Sequence, residues 1–491
     1  EAGATQMAVG YASRSGRVGV ATTTHGPGLT NAFSSIVTGV RSRVPLVLIV
    51  GDTPETARYS PQNIDQREVI KATGAIPVEA RVADQAVHDL VRAFDKARRD
   101  MLPVVFSVPS DLMWADVAEF EPPSPSPRQA VTCLPPPAVL EDVAAILSSA
   151  KRPIVVAGRG VPAADRGSVR ALADRIGAPL GTTLLGKGTF SAAEGCFGIF
   201  GTLSTPAALD VISASDCVIF FGASLNYLTT DRGRLLTGKR VIRVDINPDP
   251  ETAPFVTSPV NVTGDAGSVA RALLALLDEA EIPPTTFRDS PVVAQSLKSG
   301  GHHGDSRARS DEYIDIDIAM RALNDALPAR RTLVTDGGRF MRSALRIIDV
   351  PSPEAYVFAT SFHCVGMGMP AAIGACLATD DPVLLVTGDG GFMMGGVAEL
   401  HAAVREGLDL VVAICNDGGY GAEYAQLRNR GMDPAISLIP WPDFAEVSAA
   451  IGCASMTVRT RKDLTQACDM ITQRDRPVVL DLRLDPEFVP M

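Results

Sequence analysis

Short apolar runs recur along this chain, and they limit the fold more than any other feature of the sequence. LVLIV (46–50), PVVFSV (103–108), VIFF (218–221) and VLLV (383–386) are bounded by Gly, Pro, Asp or other turn residues and alternate with longer Ala/Leu/Arg stretches of helical period. A strand without polar alternation has both faces buried, which is the pattern of a parallel sheet covered by helices on each side. The expected class is therefore α/β, built from Rossmann-like parallel sheets.

Two stretches interrupt the alternation. A proline-rich segment ends at residue 137, and a Gly/Ser/charge-rich segment covers 282–312. Reading both as linkers divides the 491 residues into domains at 1–120, 138–281 and 313–491, with linkers at 121–137 and 282–312. His302 and His303 fall in the second linker, with no carboxylate or Cys at ligand spacing, and read as solvated rather than metal-binding.

The charge of −11 offers no basic stripe, so neither nucleic acid nor an anionic membrane surface is an expected partner. No apolar run approaches the roughly 20 residues of a membrane helix. Eight scattered cysteines lack CxxC or Cys/His spacing, which points away from a disulfide framework or zinc site and toward a reducing cytoplasm. A small molecule is the expected partner.

One stretch carries chemistry on its face. VLLVTGDGGFMMGG (383–396) ends an apolar strand in Gly388, Asp389, Gly390 and Gly391. Glycines let backbone N–H groups approach a phosphate, and Asp389 can give a hard oxygen to Mg²⁺. A helix and a strand later comes NDGGYGAEY, with Asn416 following Gly390 after 25 intervening residues. One right-handed strand-helix-strand unit returns the chain to the same sheet edge, so the Asn416 amide oxygen and the Gly418 carbonyl can join Asp389 around one ion.

This pairing resembles the signature of the thiamine diphosphate enzymes that act on 2-oxo acids, in which GDG is followed at similar spacing by NN. Cys415-Asn416 stands where the family often has Asn-Asn, and the retained second Asn is the family's metal ligand. The opening residues are similar to the pyrimidine-binding domain of acetolactate synthases: Glu1, Gly3, Ala4, Gly10, Tyr11 and the run THGPGLTN fall into its pattern without a gap. By this resemblance Glu1 hydrogen-bonds the cofactor's aminopyrimidine. FHCVGMGMPAAIGA resembles the segment in which a bulky residue, here Val365, wedges beneath the cofactor while the backbone carbonyl of His363 meets its amine. Relatives carry roughly fifty residues before their glutamate, which marks the first domain as N-terminally truncated.

The resemblance implies three domains, pyrimidine-binding, central and diphosphate-binding, with thiamine diphosphate and Mg²⁺ as cofactors. It implies decarboxylation of a 2-oxo acid followed by carboligation, and a homodimer or homotetramer in which one subunit's glutamate serves the other's cofactor. Departures qualify the substrate. Only Asp231-Arg232 matches the F-D-D-R stretch of acetolactate synthases, so FAD stays an open question for the central domain. Gly158-Arg159-Gly160-Val161-Pro162-Ala163 only loosely fits a dinucleotide turn, with no acid closing the next strand, and reads as a tight turn. Pro61 and Asn63 replace the aromatic and the acid of an F-Q-E-x-D stretch. His25 stands where acetolactate synthases tend to have Ser and resembles the proton-relaying histidine of benzoylformate decarboxylases, which makes simple decarboxylation the alternative. A non-catalytic partner built on the same fold is the alternative of another class.

Overall fold

The computed structural model describes residues 1–117 apart from 55 and 58, 133–247 apart from 191 and 192, 255–299, and 312–487. Among them, sixteen strands form three sheets in which every strand pair is parallel. The chain divides into two compact units. One holds the first and third sheets (Glu1–Arg128, Ser306–Ala344 and Glu354–Met491); the other holds the second sheet (Gln129–Asp305 with Leu345–Pro353).

The first sheet runs β1-β2-β4-β3, with β1 at Gly19–Thr23, β2 at Leu46–Asp52, β3 at Ile76–Glu79 and β4 at Pro103–Pro109. Leu46, Val47, Leu48 and Val50 are fully buried, as expected for a strand paired on both edges and covered on both faces. Local chemistry sets the helix ends. Asp65 caps Gln66–Thr73 by accepting from the Glu68 amide, and Gly74 at φ 82° stops the same helix in the left-handed region.

In the other unit the order is β10-β9-β8-β5-β6-β7: β5 Pro153–Ala157, β6 Leu180–Thr182, β7 Cys196–Ile199, β8 Cys217–Phe221, β9 Arg240–Asp245 and β10 Val260–Thr263. The turn after β5 lies against the turn after β8. Gly158 donates to Phe221 O at 2.8 Å and Gly160 to Gly222 O at 3.0 Å, and a Cβ on Gly160 would come 2.7 Å from Gly222 Cα. These glycines thus serve backbone-to-backbone packing.

The second linker needs correction. Residues 282–299 are packed into this unit, not loose: Thr285 donates to Ile176 O at 3.1 Å, Arg288 donates to Ala178 O, and Phe287 and Val293 are buried in its core. Their Pro, Ser, Thr and charge content hid two apolar anchors, Phe287 just before the helix Pro291–Ser299 and Val293 within it. The pair His302 and His303 and most of the first linker lie outside the described residues.

The third sheet runs β12-β11-β13-β14-β16-β15, with β11 Thr332–Thr335, β12 Tyr356–Phe358, β13 Val383–Gly388, β14 Leu410–Asn416, β15 Ala454–Val458 and β16 Val478–Arg483. From β11 the chain goes outward to β12 and then back across β11 to β13. The carboxyl ends of β11 and β13 therefore flank a reversal of strand order, where open α/β sheets bind ligands.

Within the first unit the helix Ala2–Ser15 packs against the helix Gly368–Cys376 without side chains intervening. A Cβ on Gly10 would collide with the Ala371 carbonyl, and one on Gly374 with that of Met7. Arg14 fastens the end of the contact, donating to Thr332 Oγ1 at 2.8 Å and Thr379 Oγ1 at 3.0 Å.

Candidate cofactor site

Strands β13 and β14 pair in parallel register with Gly388 opposite Cys415. Asp389 and Asn416 are thereby neighbours at the sheet's carboxyl edge, each 2% exposed. Asp389 starts a helical stretch that continues through a wide turn at Phe392–Gly396 into Val397–Arg405, so a helix N-terminus with bare glycine amides faces this edge. Asp389 Oδ1 accepts from the Gly390 amide at 2.8 Å and Oδ2 from the Gly419 amide at 2.9 Å, linking one turn to the other.

Asn416 is oriented by a buried acid. Its Nδ2 donates to Asp481 Oδ1 at 2.9 Å, and a carboxylate can only accept, so the amide oxygen must face the turn, where it accepts from the Gly418 amide at 3.2 Å. Gly418 sits at φ 81° with open space where a Cβ would lie. Its carbonyl accepts from Ile439 N at 2.9 Å, which leaves a second lone pair.

The electrostatics leave room for a cation. Burial, then the nearby Asp417, pushes the Asp389 carboxyl up to about 7. Asp417 is itself raised by burial and held by Arg339, whose Nε donates to its Oδ2 at 2.8 Å. Arg339 also donates to Pro486 O at 2.9 Å. A divalent cation at Asp389, Asn416 and Gly418 would relieve the cost of the buried acid, and one carboxylate with two neutral oxygens suits a hard ion that keeps water and phosphate oxygens as further ligands. The residues present fit such an ion. No group of three or more His, Cys, Asp or Glu suited to a metal occurs among the described residues.

Val365 is 40% exposed, which sets it apart from core packing, and it lies beside these turns. A Cβ on Gly391 would be 3.2 Å from Val365 Cγ1, and one on Gly337 would be 3.4 Å from Cγ2. His363, two residues earlier, has φ 59°, and its amide donates to Thr360 O at 2.7 Å.

Glu1 and His25 both lie on the part of the chain that forms the first sheet. Glu1 begins the helix Ala2–Ser15 and accepts from Asn31 Nδ2 at 3.3 Å. His25 follows β1; its Nε2 is buried and has no partner among the described residues. Where a Cβ on Gly51 would sit, His25 Nδ1 is 3.7 Å and Met113 Cε 3.8 Å away. Gln66, 4% exposed, holds this loop, accepting from the Gly26 amide and donating to Gly51 O, both at 2.9 Å. No hydrogen bond joins Glu1 or His25 to Asp389, Asn416 or Gly418 among the described residues.

Sequence reasoning missed Gln66, Asp336, Asp481 and the Arg339–Asp417 pair. Asp481 had a signal, an acid inside the buried run VVLDL. Gln66 and Asp336 had none, since both read as ordinary turn or cap residues.

Comparisons with known proteins agree along the length of the chain. Residues 1–70 match the thiamine pyrophosphate enzyme N-terminal TPP binding domain, 140–273 the central domain, and 336–482 the C-terminal TPP binding domain. A probable 2-ketoarginine decarboxylase of Pseudomonas aeruginosa is 30% identical, the match covering 95% of this chain and 82% of that protein. The acetolactate synthase isozyme 2 large subunit of Escherichia coli is 28% identical, covering 99% and 87%. Among solved structures, a thiamine diphosphate-dependent 4-hydroxybenzoylformate decarboxylase from Rhodococcus jostii superposes with a TM-score of 0.78 at 22% identity, over 99% of this chain and 91% of that one, a likeness of fold.

Proposed function

We propose, starting from a chain that belongs to the thiamine pyrophosphate enzyme family, that it decarboxylates a 2-oxo acid and transfers the remaining acyl unit to an acceptor, with thiamine diphosphate and Mg²⁺ bound at the third sheet. The observation that carries this reading is the pairing of Asp389 with Asn416 at adjacent strand ends, tied by the Gly419 amide. Bound there, thiamine diphosphate supplies a carbon nucleophile and an electron sink for the carbanion left when CO₂ departs.

The chain's own groups bind, orient and dry that chemistry. Asp389, Asn416 and the Gly418 carbonyl hold the metal, and the amides of Gly390 and Gly391 face the diphosphate. Val365, exposed beside the glycine turns, would pack against the bound cofactor, and the His363 carbonyl would be the acceptor available to its amine. Glu1 holds the ring nitrogen in a water-poor cleft, where one carboxylate hydrogen bond counts for more than in water. In this reading 1–120 binds the pyrimidine, 313–491 binds the diphosphate, and 138–281 is the central domain. In this reading the working unit is a homodimer or larger homo-oligomer in which one subunit's Glu1 serves the other's cofactor, as the family resemblance implies. All eight cysteines are free, as suits a reducing cytoplasm, and no helix among the described residues is long and apolar enough to cross a membrane.

A second reading, simple decarboxylation to an aldehyde, is favoured by His25. Its Nε2, buried and without a partner among the described residues, would be the group to give a proton to the product carbon, which would end the reaction before an acceptor arrives. Incubating the protein with thiamine diphosphate, Mg²⁺ and a panel of aliphatic and aromatic 2-oxo acids, then measuring CO₂ and identifying products, separates the two. Acyloin or 2-hydroxy-2-acyl products support transfer, aldehyde alone supports the second reading, and no CO₂ from any acid above background overturns both.

A further inference from the structure

Asp336, the first residue after β11, is an acid with 1% of its surface exposed, and it faces the loop that carries Val365. Its oxygens accept from the Gly366 amide at 3.2 and 3.1 Å, from the Gly368 amide at 3.3 Å, and from the Thr387 hydroxyl at 3.3 Å. One side chain thus joins three segments: the end of β11, the loop 363–368, and the end of β13 just before the Gly388–Gly391 turn. Behind that turn the space is full, for a Cβ on Gly391 would lie 2.9 Å from Asp336 Oδ2 and 3.2 Å from Val365 Cγ1.

The loop needs such a tether. Val365 is apolar yet 40% exposed, so burial does not hold it, and His363, two residues before it, is in a costly backbone state at φ 59°, while Gly366 takes φ 92°, which glycine adopts freely. Burial raises the Asp336 carboxyl to about 6, so the fold keeps this acid at a cost. A helix cap alone would account only for the bond to Gly368, at the start of Gly368–Cys376; the two-oxygen bond to Gly366 lies outside that role.

We propose that Asp336 is a positioning residue which holds the 363–368 loop so that Val365 projects at the cofactor beside the diphosphate turn. This rests on the reading of the third sheet as a thiamine diphosphate site. Asp336 touches neither metal ligands nor the reacting atoms; it acts through the Gly366 and Gly368 amides. Cofactor affinity should therefore barely change without it, while cofactor geometry and turnover should.

Two measurements on Asp336→Asn test it. First, amide hydrogen exchange by mass spectrometry in the cofactor-free protein should be at least about tenfold faster in the peptide covering 361–370, with the β13 and β14 strands unchanged. Wild-type exchange there overturns the inference, whatever the cofactor does. Second, with thiamine diphosphate and Mg²⁺, turnover should fall about tenfold or more and the near-ultraviolet circular dichroism of the bound cofactor should change, while affinity stays within about threefold. Val365→Ala should give the same split, and the double variant should be no slower than Val365→Ala, because both act through one side chain. Additive losses overturn the inference. A wild type that binds no cofactor defeats the cofactor-site reading instead and leaves the exchange result to decide the tether. If Asp336→Asn fails to fold cooperatively, Thr387→Val, which removes one of the bonds, should accelerate exchange in the same peptide about threefold; no acceleration overturns the inference.

Discussion

Asn416 donates its side-chain amide to Asp481 at 2.9 Å, and this bond decides which end of the amide faces the Gly418 turn. Asp481 is wholly buried and also accepts from the Phe444 amide at 3.2 Å and pairs with Arg483 at 2.8 Å, so its carboxylate is itself fixed. Replacing it by Asn lets the Asn416 amide turn its nitrogen toward the ion. Groups that orient a ligand are commonly worth about 10- to 100-fold in metal affinity. Asp481→Asn is expected to weaken Mg²⁺-dependent binding of thiamine diphosphate by that factor, measured by calorimetry on protein whose unfolding remains cooperative; an unchanged affinity would show that Asn416 is oriented by something else.

His25 follows β1, with Nε2 buried and without a partner among the described residues, and the loop is held by Gln66. General acid–base groups contribute about 10² to 10⁴ in rate. In the decarboxylase reading His25→Ser should lower turnover by about 10² or more with cofactor binding intact. Steady-state rates with a responsive 2-oxo acid decide it, and a loss below about threefold would return His25 to the role of a loop prop.

The contact between the helices Ala2–Ser15 and Gly368–Cys376 is close enough to exclude a methyl group. Gly374→Ala should destabilise the first unit by about 1 to 3 kcal/mol, the usual cost of overpacking, and outweigh the roughly 1 kcal/mol by which Ala favours a helix over Gly. Gly167 in the helix Arg166–Ile176 provides the contrast, because nothing lies within 4 Å of where its methyl group would stand: Gly167→Ala should stabilise or be neutral. Urea unfolding of both variants checks the pair, and equal shifts would contradict the close approach.

Lys187 gives the fold a pH dependence that can be signed. Its ammonium is shielded from water within the second unit, and that burial pulls it down to about 8 from 10.5, with Asp349 working against the drop. Its Nζ donates to Leu345 O at 2.6 Å. Between about 8 and 10.5 the unfolded chain binds more protons than the folded one, so this residue's contribution to stability rises with pH across that window. Comparing urea midpoints of wild type and Lys187→Met from pH 7 to 10 should show the wild type gaining on the variant as pH rises; parallel curves would place the ammonium in water.

Much of this architecture can be read before any coordinates, for a physical reason. Runs such as VLLV and LVLIV have no polar alternation because helices cover both faces, and that pattern survives in the letters alone. Asp389 and Asn416 were legible because glycine and a hard-oxygen ligand recur after successive strands, a local signal. Asp336 was not: Thr335-Asp336-Gly337 looks like any strand-ending turn, and its importance comes from amides thirty residues downstream. Gln66 is hidden for the same reason, since its two partners, Gly26 and Gly51, lie on other segments of the chain. Residues 282–299 look loose by composition, yet Phe287 and Val293 are buried in the second unit and Thr285 and Arg288 hydrogen-bond to its backbone, tertiary contacts that composition does not reveal.

The central claim is that Asp389 and Asn416 hold a metal that binds thiamine diphosphate. Titrating the cofactor into wild type and Asp389→Ala by calorimetry, with Mg²⁺ and with the metal chelated, tests it directly. Saturable binding should appear only in wild type with Mg²⁺, because without the ion the diphosphate meets a buried acid and without the acid the ion loses its charged ligand. Equal affinity in the variant, or binding by wild type that ignores the metal, would contradict the account.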